Sequence, residues 1–282
     1  MLWSLSIASS SAIHLMLVAA GFWLVLRVQG VFSFSHATSY TAAAFVVAGL
    51  PPAMNPWCRL ILGVSTSCMI GYVAELIVFS RLRLRGASSG QLVLGSLAVF
   101  VIGQALISAV FHDNIRRIDN LTLLEKNGMA GVGSDRAATL DVGFVGFILC
   151  VGLLLALHKT TWGGTVRAVA CNARLAKCVG IRVGVLRLGI AAIAGGFAGA
   201  AGILWAIETA VSPGMGMAPL LLAAVATVVA GRGPVGRTLL FAGLIGIFDQ
   251  GVMFLFAGVW HDAVVALAFG VSLVSAEGRG RE

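Results

Sequence analysis

Two groups of residues in this chain could do chemistry, and both stand where hydrocarbon would be expected. Ser33, Ser35, His36, Thr38 and Ser39 form a run of small hydroxyls around one imidazole. Asp249 stands inside a long apolar run. A carboxylate at mid-membrane depth costs about 2.5–3.5 kcal/mol, so Asp249 must face protein or water rather than lipid. It is either a pathway residue or a helix lock hydrogen-bonded to a neighbour. The hydroxyl run suits a cavity lining, because a polar, interrupted segment at that depth needs protein or water over it. His36 could donate to a substrate carboxylate, beside the positive end of a half-helix. His14, in the first apolar run, is read as a packed or hydrogen-bonded residue. No nucleophile–base pair and no metal-ligand cluster stands out, so no catalytic residue, metal or cofactor is assigned. The five cysteines (Cys58, Cys68, Cys150, Cys171 and Cys178) are odd in number and lack paired spacing, which argues against a disulfide framework.

One apparent nucleotide site is a false lead. Residues 231–238 read GRGPVGRT, a phosphate-loop spacing with Arg237 in place of lysine. The motif needs a strand before it and amide donors within it. Here Pro234 removes a donor, and the glycines and proline mark a turn between two membrane segments.

The stretch 159–183 is different in kind. It carries Lys159, Arg167, Arg174, Lys177 and Arg182 and no acid. As a single helix it would gather Arg167, Arg174 and Lys177 in one arc, with Ala168, Val169, Asn172, Ala176 and Val179 opposite. That is either a docking surface along the membrane or a solvated basic loop. Composition alone favours the loop.

The elements that must position these residues are membrane helices. Of 282 residues, 59% are hydrophobic and 11% charged, against about 25% charged in soluble domains. The mean hydropathy is +0.99. Long runs rich in Leu, Ala, Val and Gly indicate helices rather than a barrel. The net charge of +8 is no nucleic-acid footprint, because its cations sit in short loops between spans. No removable signal peptide is expected. Spans are predicted at 5–26, 58–79, 92–111, 141–157, 187–207, 239–256 and 264–274. Short, interrupted segments are predicted around 31–50 and 220–231. Glu75 is expected to snorkel towards Arg81, Arg83 and Arg85. Glu208, His261 and Asp262 are placed at the outer interface without a role. Residues 112–139 read as the longest polar loop.

The fold class is therefore an all-α polytopic membrane protein with about eight to nine transmembrane segments. Basic segments at 81–85, 159–182, 232–237 and the C-terminus place the N-terminus outside and the C-terminus in the cytoplasm. The two short segments then fall in oppositely inserted halves and share an echo, AFVVAG at 44–49 and ATVVAG at 226–231. The whole chain, 1–282, reads as one domain. A first repeat spans 1–111, a linking span 140–158, the basic segment 159–183 and a second, inverted repeat 185–275. Inverted repeats with broken helices point to a transport path between them. Segments 30–50 and 212–231 are expected to line it.

Five stretches in register resemble the integral permeases of branched-chain amino acid ABC importers, nearer the LivH-type than the LivM-type subunit. They are 27–37 (RVQGVFSFSHA), 83–88 (RLRGAS), 163–181, 229–249 and 262–266. The resemblance implies a bacterial inner-membrane core completed by a second, LivM-like permease subunit. It also implies two cytoplasmic ATPase subunits and an extracytoplasmic substrate-binding protein. ATP hydrolysis would lie on those partners and not on this chain. It implies that Gly163, Arg167, Ala168, Asn172, Ala176 and Gly180 belong to the surface that meets an ATPase. Branched-chain amino acids are the default substrate, with urea or short amides as the alternative. Gly164 stands where the family usually has arginine. The residues alone also allow an ion-coupled secondary transporter with Asp249 and His36 titrating.

Overall fold

The computed structural model describes residues 2–112, 115–116, 118, 134–231 and 233–256. All named elements among them are helical. Helix α1 (Leu2–Gln29) ends at Gly30, whose φ of +71° lets the chain turn without a Cβ penalty. An unwound stretch then leads into the short α2 (Ser35–Gly49). Ser96 anchors that stretch: its hydroxyl accepts from the Phe34 amide (3.1 Å) and shares its proton between the Val93 carbonyl of its own helix (2.7 Å) and the Phe32 carbonyl (3.2 Å). This is how irregular backbone survives at membrane depth.

Helix α3 (Pro56–Ala74) opens with an Asn55 cap and a proline in its first turn. It runs through a π-helical turn (Glu75–Phe79) into α4 (Ser80–Leu84). Helix α5 (Ser89–Phe111) starts with a reciprocal capping box between Ser88 and Gln91. Helix α6 (Ser134–Lys159) already covers the end of the loop expected at 112–139. The short helices α7 (Thr161–Cys171) and α8 (Ala173–Cys178) follow, then α9 (Val183–Glu208), α10 (Met217–Val229) and α11 (Val235–Phe256).

Among the described residues, four helices are long and apolar enough to cross a membrane: Ser10–Gln29, Pro56–Leu84, Ser89–Phe111 and Val183–Glu208. The pair Gly143–Lys159 and Thr161–Cys171, bent by 80°, counts as a fifth if taken as one span. The chain is a polytopic membrane protein. The expected span at 264–274 lies outside the described residues, as do His261 and Asp262.

Burial separates a centre from a periphery. The membrane windows of α1 and α9 are 78% and 67% buried, those of α3 and α5 only 22% and 17%. The apolar faces of α3, α5, α6 and α11 look outward, for example at Ile61, Ile102, Phe147 and Leu244. Those faces are lipid-compatible, while α1, α2, α9 and α10 form the core.

The glycines of α9 set its approach to neighbours. A Cβ on Gly195 would run into the Ser67 carbonyl of α3, and one on Gly202 into the Tyr40 carbonyl of α2. A Cβ on Gly196 would stand 2.7 Å from the Cys68 sulfur. The small residues expected to bring backbones together do so.

Candidate functional site

The structure divides the predicted site residues among three places. The first is at the end of the bundle away from the basic segments. A cavity of about 200 Å3 lies between α1, the end of α9, the α9–α10 connection, α10 and α11. Its polar wall is Ser11, His14, Thr209, Ser212 and Asp249; its apolar wall includes Leu15, Trp205 and Leu222. His14 is hydrogen-bonded through Nε2 to the Tyr40 hydroxyl (2.7 Å) and stacks on Trp205 with ring centroids 4.9 Å apart. Tyr40 comes from α2, so one hydrogen bond ties the short helix to this wall. Glu208, expected at the interface, is part-buried beside this group and accepts a hydrogen bond from Ser10. His14 and Trp205 both line this cavity, and neither carries a sequence signal for it. Their partners lie far away in sequence, and no periodicity signals such a meeting.

The second place is a void of only about 20 Å3 beside Gln29, Ser33, Ser35, His36 and Ser39. It has room for about one water. The Ser33 and Ser35 hydroxyls bond each other at 2.7 Å. The His36 Nε2–H donates to the Val18 carbonyl at 3.3 Å, so its donor is engaged by α1. Thr38 points elsewhere, against Gly103 of α5. The structure thus brings Ser33, Ser35, His36 and Ser39 together, and holds Thr38 and Asp249 apart from them. The hydroxyl run is closed by protein in this conformation.

The third place is the elbow formed by α7 and α8. The single helix expected over the basic stretch is broken at Asn172, whose backbone is extended (φ −155°, ψ 101°). The reason is a cap: the Asn172 Oδ1 accepts from the Arg174 amide (3.0 Å) and the Leu175 amide (3.2 Å) and starts α8. The break puts Arg167 on a different helix from Arg174 and Lys177, so the expected single arc does not form. Thr160 caps α7 in the same way through the Gly163 amide (3.1 Å). Gly163 is buried against α6, so closely that a Cβ there would run into the Ala156 and Leu157 carbonyls. Ala176 is buried too, and Gly180 ends the elbow at φ +86°. Arg167, Ala168 and Asn172 are exposed. So are two apolar side chains, Leu175 at 63% and Val179 at 83%.

Nearby, the false nucleotide motif is a turn between α10 and α11, held by the Arg27 guanidinium on the Gly231 and Gly233 carbonyls. Glu75 reaches one of the arginines it is expected to approach, but without emerging into water. It is 2% exposed and ion-paired with Arg83 across the π-helical turn.

A family model described as "Branched-chain amino acid transport system / permease component" matches residues 4–273. The chain belongs to this family. The permease is 26% identical over 225 residues to "Probable branched-chain amino acid transport permease protein LivH" of Methanocaldococcus jannaschii, covering 73% of this chain and 67% of that protein. In fold, the permease is similar to the solved structure "PsaBC from Streptococcus pneumoniae in complex with Fab". The TM-score is 0.54 at 16% identity, over 97% of this chain and 90% of that one. The permease is thus a transport component of the branched-chain amino acid type, and its setting is a membrane.

Proposed function

We propose that this permease forms part of the translocation path of an ATP-driven importer for aliphatic amino acids and takes its drive at the α7–α8 elbow. Partner ATPases would press on the exposed face of Ala168, Asn172, Leu175 and Val179 from the cytoplasm. A second, LivM-like permease would complete the path, and an extracytoplasmic binding protein would deliver substrate to the opposite end. The N-terminus then lies outside.

The observation that carries this reading is the elbow's geometry. It is a bent, doubly capped segment with Gly163 seated on the α6 carbonyls, and it offers two apolar side chains to solvent. A push there reaches α6 through Gly163 and α9 through the chain. Unpartnered apolar side chains at an otherwise basic surface are what a docked subunit would cover.

The helix pairings favour two inverted repeats. Helix α9 packs on α3 as α1 packs on α11, and α1 faces α9. Exchanging α1 with α9, α2 with α10 and α3 with α11 maps these pairings onto one another. Residues 1–111 and 185–275 are the repeats in this reading, about eight to nine segments in all with the linking span 140–158. The cavity beside Asp249 suits a zwitterion with an aliphatic side chain. The Asp249 carboxylate would take the ammonium, Ser212 the carboxylate, and Leu15 and Leu222 the hydrocarbon. Rocking of the halves would open the closed hydroxyl cluster around His36 to that cavity.

The test is the reconstituted importer in proteoliposomes with binding protein, ATP and radiolabelled leucine. Asn172→Ala and Leu175→Glu are each expected to leave ATP hydrolysis while uptake per ATP collapses. Unchanged uptake in both would remove the coupling role. Urea replacing leucine as the transported solute would move the substrate and keep the coupling. Uptake that ignores ATP and stops with an ionophore would refute the whole reading.

A further inference from the structure

A second sizeable cavity, about 220 Å3, opens at the basic end between the last turns of α1 and α6, α7, and the α10–α11 turn. Helix α7 of the elbow lends it Arg167, Ala170 and Cys171, but the exposed docking face of Ala168, Asn172, Leu175 and Val179 does not line it, and the translocation path does not use it. Its wall carries Trp23, Arg27, His158 and Arg167, with Leu157 and Val235 on the apolar side, and no lining residue is an acid. Two further observations mark it as built for an anion. Trp23 is 6% exposed, yet its indole Nε1–H is buried without an acceptor. An orphaned donor of this kind carries a desolvation penalty that an acceptor atom would relieve. The Arg27 guanidinium is fixed in place: it lies 5.9 Å from the Trp23 ring centroid and donates to the Gly231 and Gly233 carbonyls. A cation held this way is preorganised, so little side-chain entropy is lost when a ligand arrives.

The surroundings narrow the ligand. The cavity sits where the helix ends meet the headgroup layer, flanked by basic segments. Helices α6 and α11 adjoin there, with Leu154 3.5 Å from where a Cβ on Gly236 would stand. From that junction their exposed apolar faces run away from the cavity, at Leu155 (55%) on α6 and at Leu240 (70%) on α11. A head bearing negative oxygens would meet Arg27 and Arg167 beside the Trp23 ring, and two hydrocarbon tails would follow α6 and α11. We infer that this cavity binds the phosphodiester of an anionic phospholipid and so pins the root of the α7–α8 elbow to the bilayer. Basic pockets between membrane helices are the general form of such sites.

Binding is measured on the full-length chain without nucleotide or ATPase subunits, so the result stands or falls apart from the coupling reading. The chain is purified in detergent, mixed with phosphatidylglycerol or phosphatidylcholine, and weighed intact by native mass spectrometry. The expected result is one retained phosphatidylglycerol in preference to phosphatidylcholine. Arg167→Gln is expected to lower its occupancy about fivefold, the share that one cation contributes near an anionic lipid. Arg167→Lys is expected to keep most of it. Arg174→Gln, an exposed cation on α8 that does not line the cavity, is expected to change nothing. Arg167 is itself exposed, so these variants should fold, and a normal elution volume checks that. Brominated phosphatidylglycerol should quench tryptophan emission, and Trp23→Phe should remove that share of the quenching. Equal retention of phosphatidylcholine would overturn the proposal. So would an Arg167→Gln variant that holds the lipid like the parent. Full displacement by millimolar inorganic phosphate would make it a free-anion site and overturn the lipid assignment.

Discussion

Gly21 of α1 lies against both α2 and α9, and an alanine there tests the core directly. A Cβ on Gly21 would stand 2.6 Å from His36 Cε1 and 2.7 Å from the Ala194 carbonyl oxygen. Ordinary contact begins near 3.4 Å, so the second approach is short by about 0.7 Å. His36 is a side chain and could swing, although that would break its bond to the Val18 carbonyl. Ala194 contributes backbone in mid-helix and cannot move alone. Helices α1 and α9 would have to part. Overpacking of this size costs about 1–3 kcal/mol. Gly189→Ala, on the facing helix α9, is the control: a Cβ there meets nothing within 4 Å, and the exposed helical position should gain about 0.5–1 kcal/mol. Reversible unfolding in mixed micelles, with leucine uptake alongside, reads both. The double variant Gly21→Ala, His36→Ala should recover only part of the loss, since the carbonyl clash remains. If Gly21→Ala is as stable as Gly189→Ala, the close approach of α1 and α9 is wrong.

Tyr40→Phe removes the 2.7 Å bond that His14 makes across the cavity wall and is expected to cost about 1–3 kcal/mol, read by unfolding, together with weaker leucine uptake. Arg59→Met strips the buried donor that holds the Val47 carbonyl at 3.0 Å near the end of α2, with an expected loss of about 1.5–3 kcal/mol in the same assay. Glu75→Gln leaves the Arg83 guanidinium without its ion-pair partner at the π-helical turn, and about 3–5 kcal/mol of stability should go with it. Asn172→Ala removes the cap of α8 and should loosen the elbow by about 1 kcal/mol, seen as faster amide exchange in 173–178 with the bundle unchanged.

What the sequence disclosed depended on whether the signal was local. Apolar run length announced α1, α3, α5 and α9, and Gly195, Gly196 and Gly202 announced a close helix crossing, because both are properties of one segment. The short, broken character of the segments at 31–50 and 220–231 was legible for the same reason and became α2 and α10. The break at Asn172 left a signal that periodicity hides: an asparagine poised to cap can end one helix and start another without glycine or proline. The approach of Glu75 to the arginines is legible locally, but its burial is not, because it depends on the π-helical turn that brings Arg83 beneath it. The cavity wall was hidden outright. His14, Tyr40, Trp205 and Asp249 come from four helices, and only the three-dimensional packing puts them within reach of one another. For the same reason nothing in the sequence said that Asp249 and the Ser33–Ser39 hydroxyls would sit apart.

The most direct test of the account asks which face of the membrane carries the elbow. Cys171 and Cys178 are exposed there, and Cys58 is exposed near the start of α3, at the opposite end. A membrane-impermeant maleimide should label Cys171 and Cys178 in inside-out vesicles only, with docked ATPase subunits slowing the reaction. Labelling of either residue from outside intact cells would put the elbow beyond the reach of any cytoplasmic ATPase and contradict the account.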